Sequence, residues 1–195
     1  MTALERASIL EKTAALLLER CEGITRLLAL EVGKTIREAR AEVKRTAAIF
    51  DWAAGEALRI TGETIPFDAA PGASDRVGYY IRVPVGVVGA ITPFNVPLAL
   101  AAHKLAPALA AGNSVVFKPA TATPLADLEL VRALIDAGLP PEAINAVTGQ
   151  GSVVGDAIVS APEIRMVTFT GSREVGKRLS ARAGLKKLAM ELGGN

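Results

Sequence analysis

Apolar residues recur at helical spacing through the first third of the chain and in short unbroken runs through the rest, so the sequence divides where the period changes. Leu4, Ala7, Leu10, Ala14 and Leu17 share one helical face, and Thr2 with Glu5 has the spacing of a capping box ahead of them. Thr35 and Glu38 repeat that box before Ile36, Ala39, Val43, Ala47, Phe50 and Ala54, which predict a long amphipathic helix running to about Leu58. Between residues 62 and 83 the helical period disappears. Pro71-Gly72 there predicts a turn between an extended piece at 64–67 and a longer one at 76–83, hence a projecting hairpin or arm.

After Pro84 the pattern alternates. Buried strands are predicted at 85–91, 114–117, 144–147, 165–169 and 187–192, with helices at 97–111, 124–137, 153–160 and 174–183 between them. Pro97 and Pro124 suit first helical turns, while Gly112 and Gly138 follow the last apolar residues as caps. Uninterrupted apolar strands joined by crossover helices require a parallel sheet covered on both faces. The expected class is therefore α/β, a Rossmann-like open sheet with flanking helices. Residues 1–65 and 84–195 are expected to form one domain, with 66–83 as the arm.

A chain of 195 residues that is 50% hydrophobic can bury a full core. A net charge of +2 and 4% aromatic residues give no basis for nucleic-acid binding. The uncharged stretch 83–102 has the length of a membrane span, but Pro84, Pro93 and Pro97 exclude a continuous helix in lipid, so no membrane partner is expected. Cys21 cannot form an internal disulfide, and no leader pattern opens the sequence. A cytoplasmic location is the expectation, and Cys21 reads as a packing residue near the end of the first helix.

In an open parallel sheet, ligands bind outside the carboxyl ends of the strands. Lys104 and Lys118 are the only formal charges between Val83 and Leu125, and Lys118 ends a strand. Such an ammonium needs an anionic or hydroxyl-rich partner unless it snorkels to solvent, and position alone leaves both readings open. Gly149-Gln150-Gly151 with Gly155 is one residue longer than a dinucleotide fingerprint, and it is equally an ordinary glycine turn. Thr170-Gly171-Ser172 opens a helix whose free amides and dipole favour phosphate, although Ser172 also serves as a simple cap. Asn95 stands where an N-cap would. Glu191 interrupts an apolar run, where burial would raise its proton affinity toward that of a general base; the alternative is an ion pair with Lys186 or Lys187. His103, mid-helix, reads as structural, and no metal site is assigned.

Four segments occur in order: Pro93-Phe94-Asn95, Lys118-Pro119, Phe169-Thr170-Gly171-Ser172 and Glu191-Leu192-Gly193-Gly194-Asn195. With Glu31-Val32-Gly33-Lys34 upstream, they resemble the aldehyde dehydrogenase superfamily over nearly the whole chain. Residues 102–107 and 184–188 look most like its lactaldehyde and phosphonoacetaldehyde dehydrogenase branch. The resemblance implies NAD or NADP as cofactor, with Lys118 on the adenosine ribose hydroxyls. Ile91, Thr92, Pro93, Phe94, Thr121, Gly151, Gly155, Phe169, Thr170, Gly171, Ser172, Val175, Leu192 and Gly193 complete the implied cofactor contacts, Gly193 and Gly194 allowing close approach of the nicotinamide.

The same resemblance implies catalytic roles for two residues. The Asn95 amide would donate to the oxygen of a thiohemiacetal, and Glu191 would activate the water that releases the acid. It also implies a homo-oligomer paired through the arm. In the family the nucleophilic cysteine lies beyond the Glu-Leu-Gly-Gly segment, so a chain with Cys21 alone is expected not to oxidise aldehydes unless a cysteine-bearing domain is supplied. A non-catalytic dinucleotide-binding or assembly module, from a truncated or split enzyme, is the rival reading. Thr121 stands where NAD-preferring relatives carry a carboxylate, which implies that NADP is accepted at least as readily as NAD.

Overall fold

A computed structural model describes residues 1–193. Both capping boxes form: Thr2 and Glu5 open α1 (Ala3–Glu19), and Thr35 and Glu38 open α3 (Ile36–Ala57). Between them the first apolar stripe breaks at Arg20, and a separate α2 (Cys21–Val32) follows, ending at Gly33 in the left-handed region (φ 76°). Cys21 therefore begins a second helix rather than closing the first. It is partly buried, with its Sγ 3.8 Å from the Thr25 hydroxyl.

The hairpin forms from β1 (Glu63–Ile65) and β2 (Gly78–Tyr80), paired antiparallel, so its first strand precedes the expected boundary at residue 66. It projects: Val77 is 94% and Tyr79 73% exposed.

Then come β3 (Val87–Ile91), α4 (Pro97–Ala110), β4 (Ser114–Lys118), α5 (Leu125–Asp136), β5 (Ile144–Ala146), α6 (Asp156–Ser160), β6 (Ile164–Gly171), α7 (Arg173–Arg182) and β7 (Lys187–Leu192). All pairings in the five-stranded sheet are parallel and the order is β5-β4-β3-β6-β7. The chain winds outward from β3 to β5, returns beside β3, and winds outward again. The seam between β3 and β6 is thus a topological switch point. Where the sequence predicts one helix over 153–160, residues Gly151–Gly155 form a π-helical turn that α6 continues.

Two cores hold the layers. One joins α1, α2, α3, α4 and α5 to one face of the sheet through Leu10, Leu17, Leu28, Phe50, Leu98 and Phe117. The other packs α6 and α7 on the opposite face through Ile91, Ile158, Val167, Phe169 and Leu179. Fully burying side chains of this size contributes about 1.5–3 kcal/mol each. The second core depends on Gly89 in β3, where a Cβ would stand 2.5 Å from Ile158 Cγ2. Gly176 does the same for α7 against Leu192. Neither glycine announces itself in the sequence, because the requirement comes from another element, α6 over Gly89 and β7 beside Gly176.

Candidate functional site

The strand registers bring the predicted residues to one end of the sheet. Ile91 lies beside Lys118 on one side and Phe169 on the other, while Thr170 pairs with Glu191 and Gly171 with Leu192. The loops beyond are stitched together: Thr92 N donates to Lys118 O (3.2 Å), Thr121 Oγ1 to Gly149 O (2.8 Å) and Gly193 N to Gly171 O (3.2 Å). Gly194 lies outside the described residues.

Lys118 is buried, with 3% of its surface exposed, and its Nζ donates to a single acceptor, Pro119 O, at 2.9 Å. No carboxylate pairs with it among the described residues, and desolvation pulls its pKa below the ordinary lysine value. A buried ammonium with two unused donors at a strand end fits a hydroxyl-rich ligand and costs stability without one. Thr121 is exposed, and its hydroxyl is turned to Gly149. Gly151 has open space where a Cβ would point, and Gly155 has room for one, the nearest atom being Ile91 Cδ1 at 4.0 Å. Gly149 is the member of the 149–155 spacing that the turn requires, with φ 142° and a Cβ position 2.8 Å from Val154 Cγ2, whereas Gly151 and Gly155 are not needed for close packing.

Ser172 caps α7, its Oγ accepting from Val175 N (3.3 Å), which leaves the hydroxyl proton free to donate outward. Val175 is half-buried against the second core and Gly176 fully buried, which anchors the first turn of α7, while Ser172, Arg173 and Glu174 at its start are exposed. Phe169 is in that core at 4% exposed, so its side chain packs beneath the site.

Asn95 is exposed with Phe94 in the β3–α4 loop, and the N-cap of α4 is Val96, not Asn95. The Asn95 carbonyl accepts from Lys34 Nζ at 3.1 Å. Asn95 opens on a cleft of about 420 Å³ that also presents Lys34, Glu38, Glu42, Arg45 and Val96.

Glu191 corrects an expectation, for its residue is exposed rather than buried. It projects with Thr168, Thr170 and Ala189 into a groove of about 680 Å³ on the α4 face, where β6 and β7 extend beyond the cover of α4. Strand alternation explains why Glu191 and Thr170 face this side, whereas Val167, Phe169 and Met190 face α6 and α7. The structure thus places Asn95 and Glu191 in different clefts.

Lys104, to which sequence reasoning gave no role, lies in Glu191's groove. It is 6% exposed and donates to Thr168 Oγ1 at 3.1 Å; burial lowers its pKa to about 8, with the Glu191 carboxylate opposing that shift. Its signal was present, as one of only two charges in a long apolar stretch. Exposed His103 lines the same groove.

Asp127 was missed as well. It is fully buried in α5, near Thr92, and its acid is held well above the usual carboxylate range first by desolvation and then by the Glu31 and Glu42 carboxylates.

The aldehyde dehydrogenase family profile matches residues 1–195. The chain is 50% identical over 191 residues to the 3-sulfolactaldehyde dehydrogenase of Priestia megaterium, covering 98% of this chain and 40% of that protein. It is 42% identical over 197 residues to the succinate-semialdehyde dehydrogenase [NADP(+)] GabD of Escherichia coli, covering 100% and 40%. The crystal structure of the NADP-dependent glyceraldehyde-3-phosphate dehydrogenase of Bacillus halodurans, complexed with NADP, superposes with a TM-score of 0.96 at 48% identity, covering all of this chain and 41% of that one. The chain thus spans about 40% of the length of the curated relatives it matches.

Proposed function

Because the chain belongs to the aldehyde dehydrogenase family, we propose that it is the dinucleotide-binding portion of an NAD(P)-dependent enzyme that oxidises an aldehyde to a carboxylate. The observation that carries the reading is Lys118, a buried ammonium with one backbone acceptor at the carboxyl end of β4, beside the switch point and opposite the free first turn of α7. Lys118 would hold the adenosine ribose hydroxyls. The α7 amides and the Ser172 hydroxyl would hold the pyrophosphate, and Ile91 to Phe94 would flank the nicotinamide half. When bound, the dinucleotide supplies a hydride acceptor.

The chain's own chemistry lies at Asn95 and Glu191. Asn95, on an ordered loop, would donate to the oxygen that gains charge when a thiolate adds to the carbonyl, and an oriented donor of this kind is worth ~3 kcal/mol. Glu191 would take a proton from the water that releases the acid. Exposed carboxylates do this poorly, so the role requires the groove at Glu191 and Lys104 to be covered by the cysteine-bearing portion of the enzyme. Residues 1–65 and 84–195 act as the cofactor domain, and the exposed edge of the 66–83 arm pairs with a second copy. No helix among the described residues is long and apolar enough to cross a membrane.

The test has two parts. Calorimetric titration of the chain with NADP and NAD must show saturable binding. The chain combined with the cysteine-bearing remainder of a relative must reduce the cofactor when an aldehyde is added, and lose that activity in Asn95→Ala and Glu191→Gln. Failure of the chain to bind either dinucleotide would overturn the proposal. Binding that persists while every combination stays inactive would favour the non-catalytic module.

A further inference from the structure

The β3–α4 loop that carries Asn95 has no side-chain cap of its own. Val96 occupies the N-cap position, Pro97 has no amide hydrogen, and α4 opens without an acidic residue in its first turn. The missing acceptor comes from another helix. Glu42 of α3 turns its Oε1 to Ala99 N (3.3 Å), while its Oε2 takes Lys34 Nζ at 2.5 Å. Lys34 then spans the loop and donates to Asn95 O (3.1 Å). One ion pair therefore grips the loop at a carbonyl before the helix and at an amide inside its first turn. Its carboxylate also sits at the positive end of the α4 dipole. Both side chains are largely withdrawn from water, at 14% exposed for Lys34 and 4% for Glu42.

The neighbouring loop is held in the same way. Glu31 accepts from Leu125 N (2.6 Å) and Ala126 N (3.0 Å), at the start of the helix that follows Lys118. Glu31 and Lys34 flank Gly33, whose left-handed conformation ends α2 and sends the chain back toward α3. The short junction between α2 and α3 thus reaches both strand-to-helix loops of the site. A buried ion pair adds little net stability compared with apolar residues of similar volume, because desolvation offsets attraction. Its geometric effect is to fix where the loop stands.

We propose that Lys34 and Glu42 are positioning residues for the Asn95 loop, setting the part of the site that receives the nicotinamide half of the cofactor and leaving the adenosine half untouched. The inference rests on the cofactor reading of residues 91–95. It separates the two ends of the ligand, because Lys118 and Thr121 lie on the next loop, which Glu31 and not Lys34 holds.

The experiment uses the full chain and two probes, NADP and adenosine 2′,5′-bisphosphate, which lacks the nicotinamide end. Lys34→Met and Glu42→Gln should each weaken NADP roughly tenfold, the scale of one lost charge-assisted contact. The bisphosphate should bind within about twofold of the parent, well below the tenfold change that 1.4 kcal/mol represents. Lys34→Arg, which keeps the charge and the donors, should restore NADP affinity. The Asn95 side-chain amide resonance should shift in Lys34→Met and return in Lys34→Arg. Equal weakening of both probes, or NADP affinity unchanged in both variants, overturns the inference. If the parent binds the bisphosphate and NADP equally well, the loop takes no part in binding and the inference falls while the adenosine site stands. A parent that binds neither probe overturns the cofactor reading and the inference with it.

Discussion

Replacing Lys118 with methionine should weaken cofactor binding and stabilise the free protein at the same time. The side chain is 3% exposed and offers three donors, of which one reaches Pro119 O, so two remain for a ligand. A hydrogen bond to a charged group is worth about 1.5–3 kcal/mol, which corresponds to roughly a 10- to 150-fold loss of affinity in Lys118→Met. The free protein changes the other way. Desolvation lowers the folded-state pKa of Lys118 below its unfolded value, so the charged form carries the full burial cost at neutral pH, and that cost fades only as pH rises through the folded pKa toward the unfolded one. Methionine fills a similar volume without the charge, and for a chain of this size each kcal/mol recovered raises Tm by about 2–4 °C. The assay pairs calorimetric titration with NADP and a thermal melt at pH 7. Loss of binding together with a lower Tm would mean that Lys118 is a structural strut, and unchanged binding would remove it from the site.

If Lys118 holds the adenosine ribose as proposed, Thr121→Glu adds a carboxylate three residues further along the same loop, where it would oppose a 2′-phosphate. Repulsion of roughly 1–4 kcal/mol should shift the NADP/NAD dissociation-constant ratio against NADP by about one to three decades, and an unchanged ratio would show that position 121 does not set the preference. Gly89→Ala puts a Cβ 2.5 Å from Ile158 Cγ2 and should cost about 1–3 kcal/mol in denaturant unfolding, while Gly151→Ala, at an open position, should cost less than 1 kcal/mol. Asp127 has a folded pKa raised above its unfolded value, so the protein loses about 1.4 kcal/mol per pH unit as pH rises from the unfolded pKa toward the folded one. Asp127→Asn should therefore melt above the parent by a margin that grows as pH rises above the ordinary carboxylate range, and parallel melting curves would refute the assignment.

Much of the fold is visible in the sequence because each element carries its own signal. The two capping boxes, Pro97 in the first turn of α4, Pro124 just ahead of α5 and the unbroken apolar runs are local, and the structure places the predicted strands and helices within a few residues. What escapes is non-local. The break at Arg20 interrupts an apolar stripe with no proline or glycine to mark it. Gly89 and Gly176 look unremarkable until α6 packs over the first and Leu192 of β7 against the second. Glu42 reads as one charge among many on α3, yet it faces inward because its partners, Lys34 and Ala99 N, come from other elements. Asp127 lies at a position of α5 that the apolar pattern cannot distinguish from its neighbours. In the site itself, segments quoted from the sequence converge through strand register, while Lys104 is found only by asking why an apolar stretch keeps a charge.

Glu191 shows how far the described residues carry the chemistry. Its expected power as a base comes from burial, yet in this structure its strand has helices on one side only and the carboxylate looks into an open groove. Lys104 on the groove wall is buried and held near pH 8, so one member of the pair already has a low-dielectric setting and the other lacks it. Covering the groove would desolvate Glu191, raise its proton affinity and strengthen its attraction to Lys104, which acts against that rise. The two effects oppose each other, and the sign of the net change depends on whether Lys104 keeps its proton. Asn95 is different: its backbone carbonyl is already held by Lys34, and Glu42 holds the first turn of the helix that follows. Of the two proposed catalytic groups, Asn95 therefore has its backbone held within this portion of the fold, whereas Glu191 gains strength as a base on closure of the groove only where Lys104 has lost its proton.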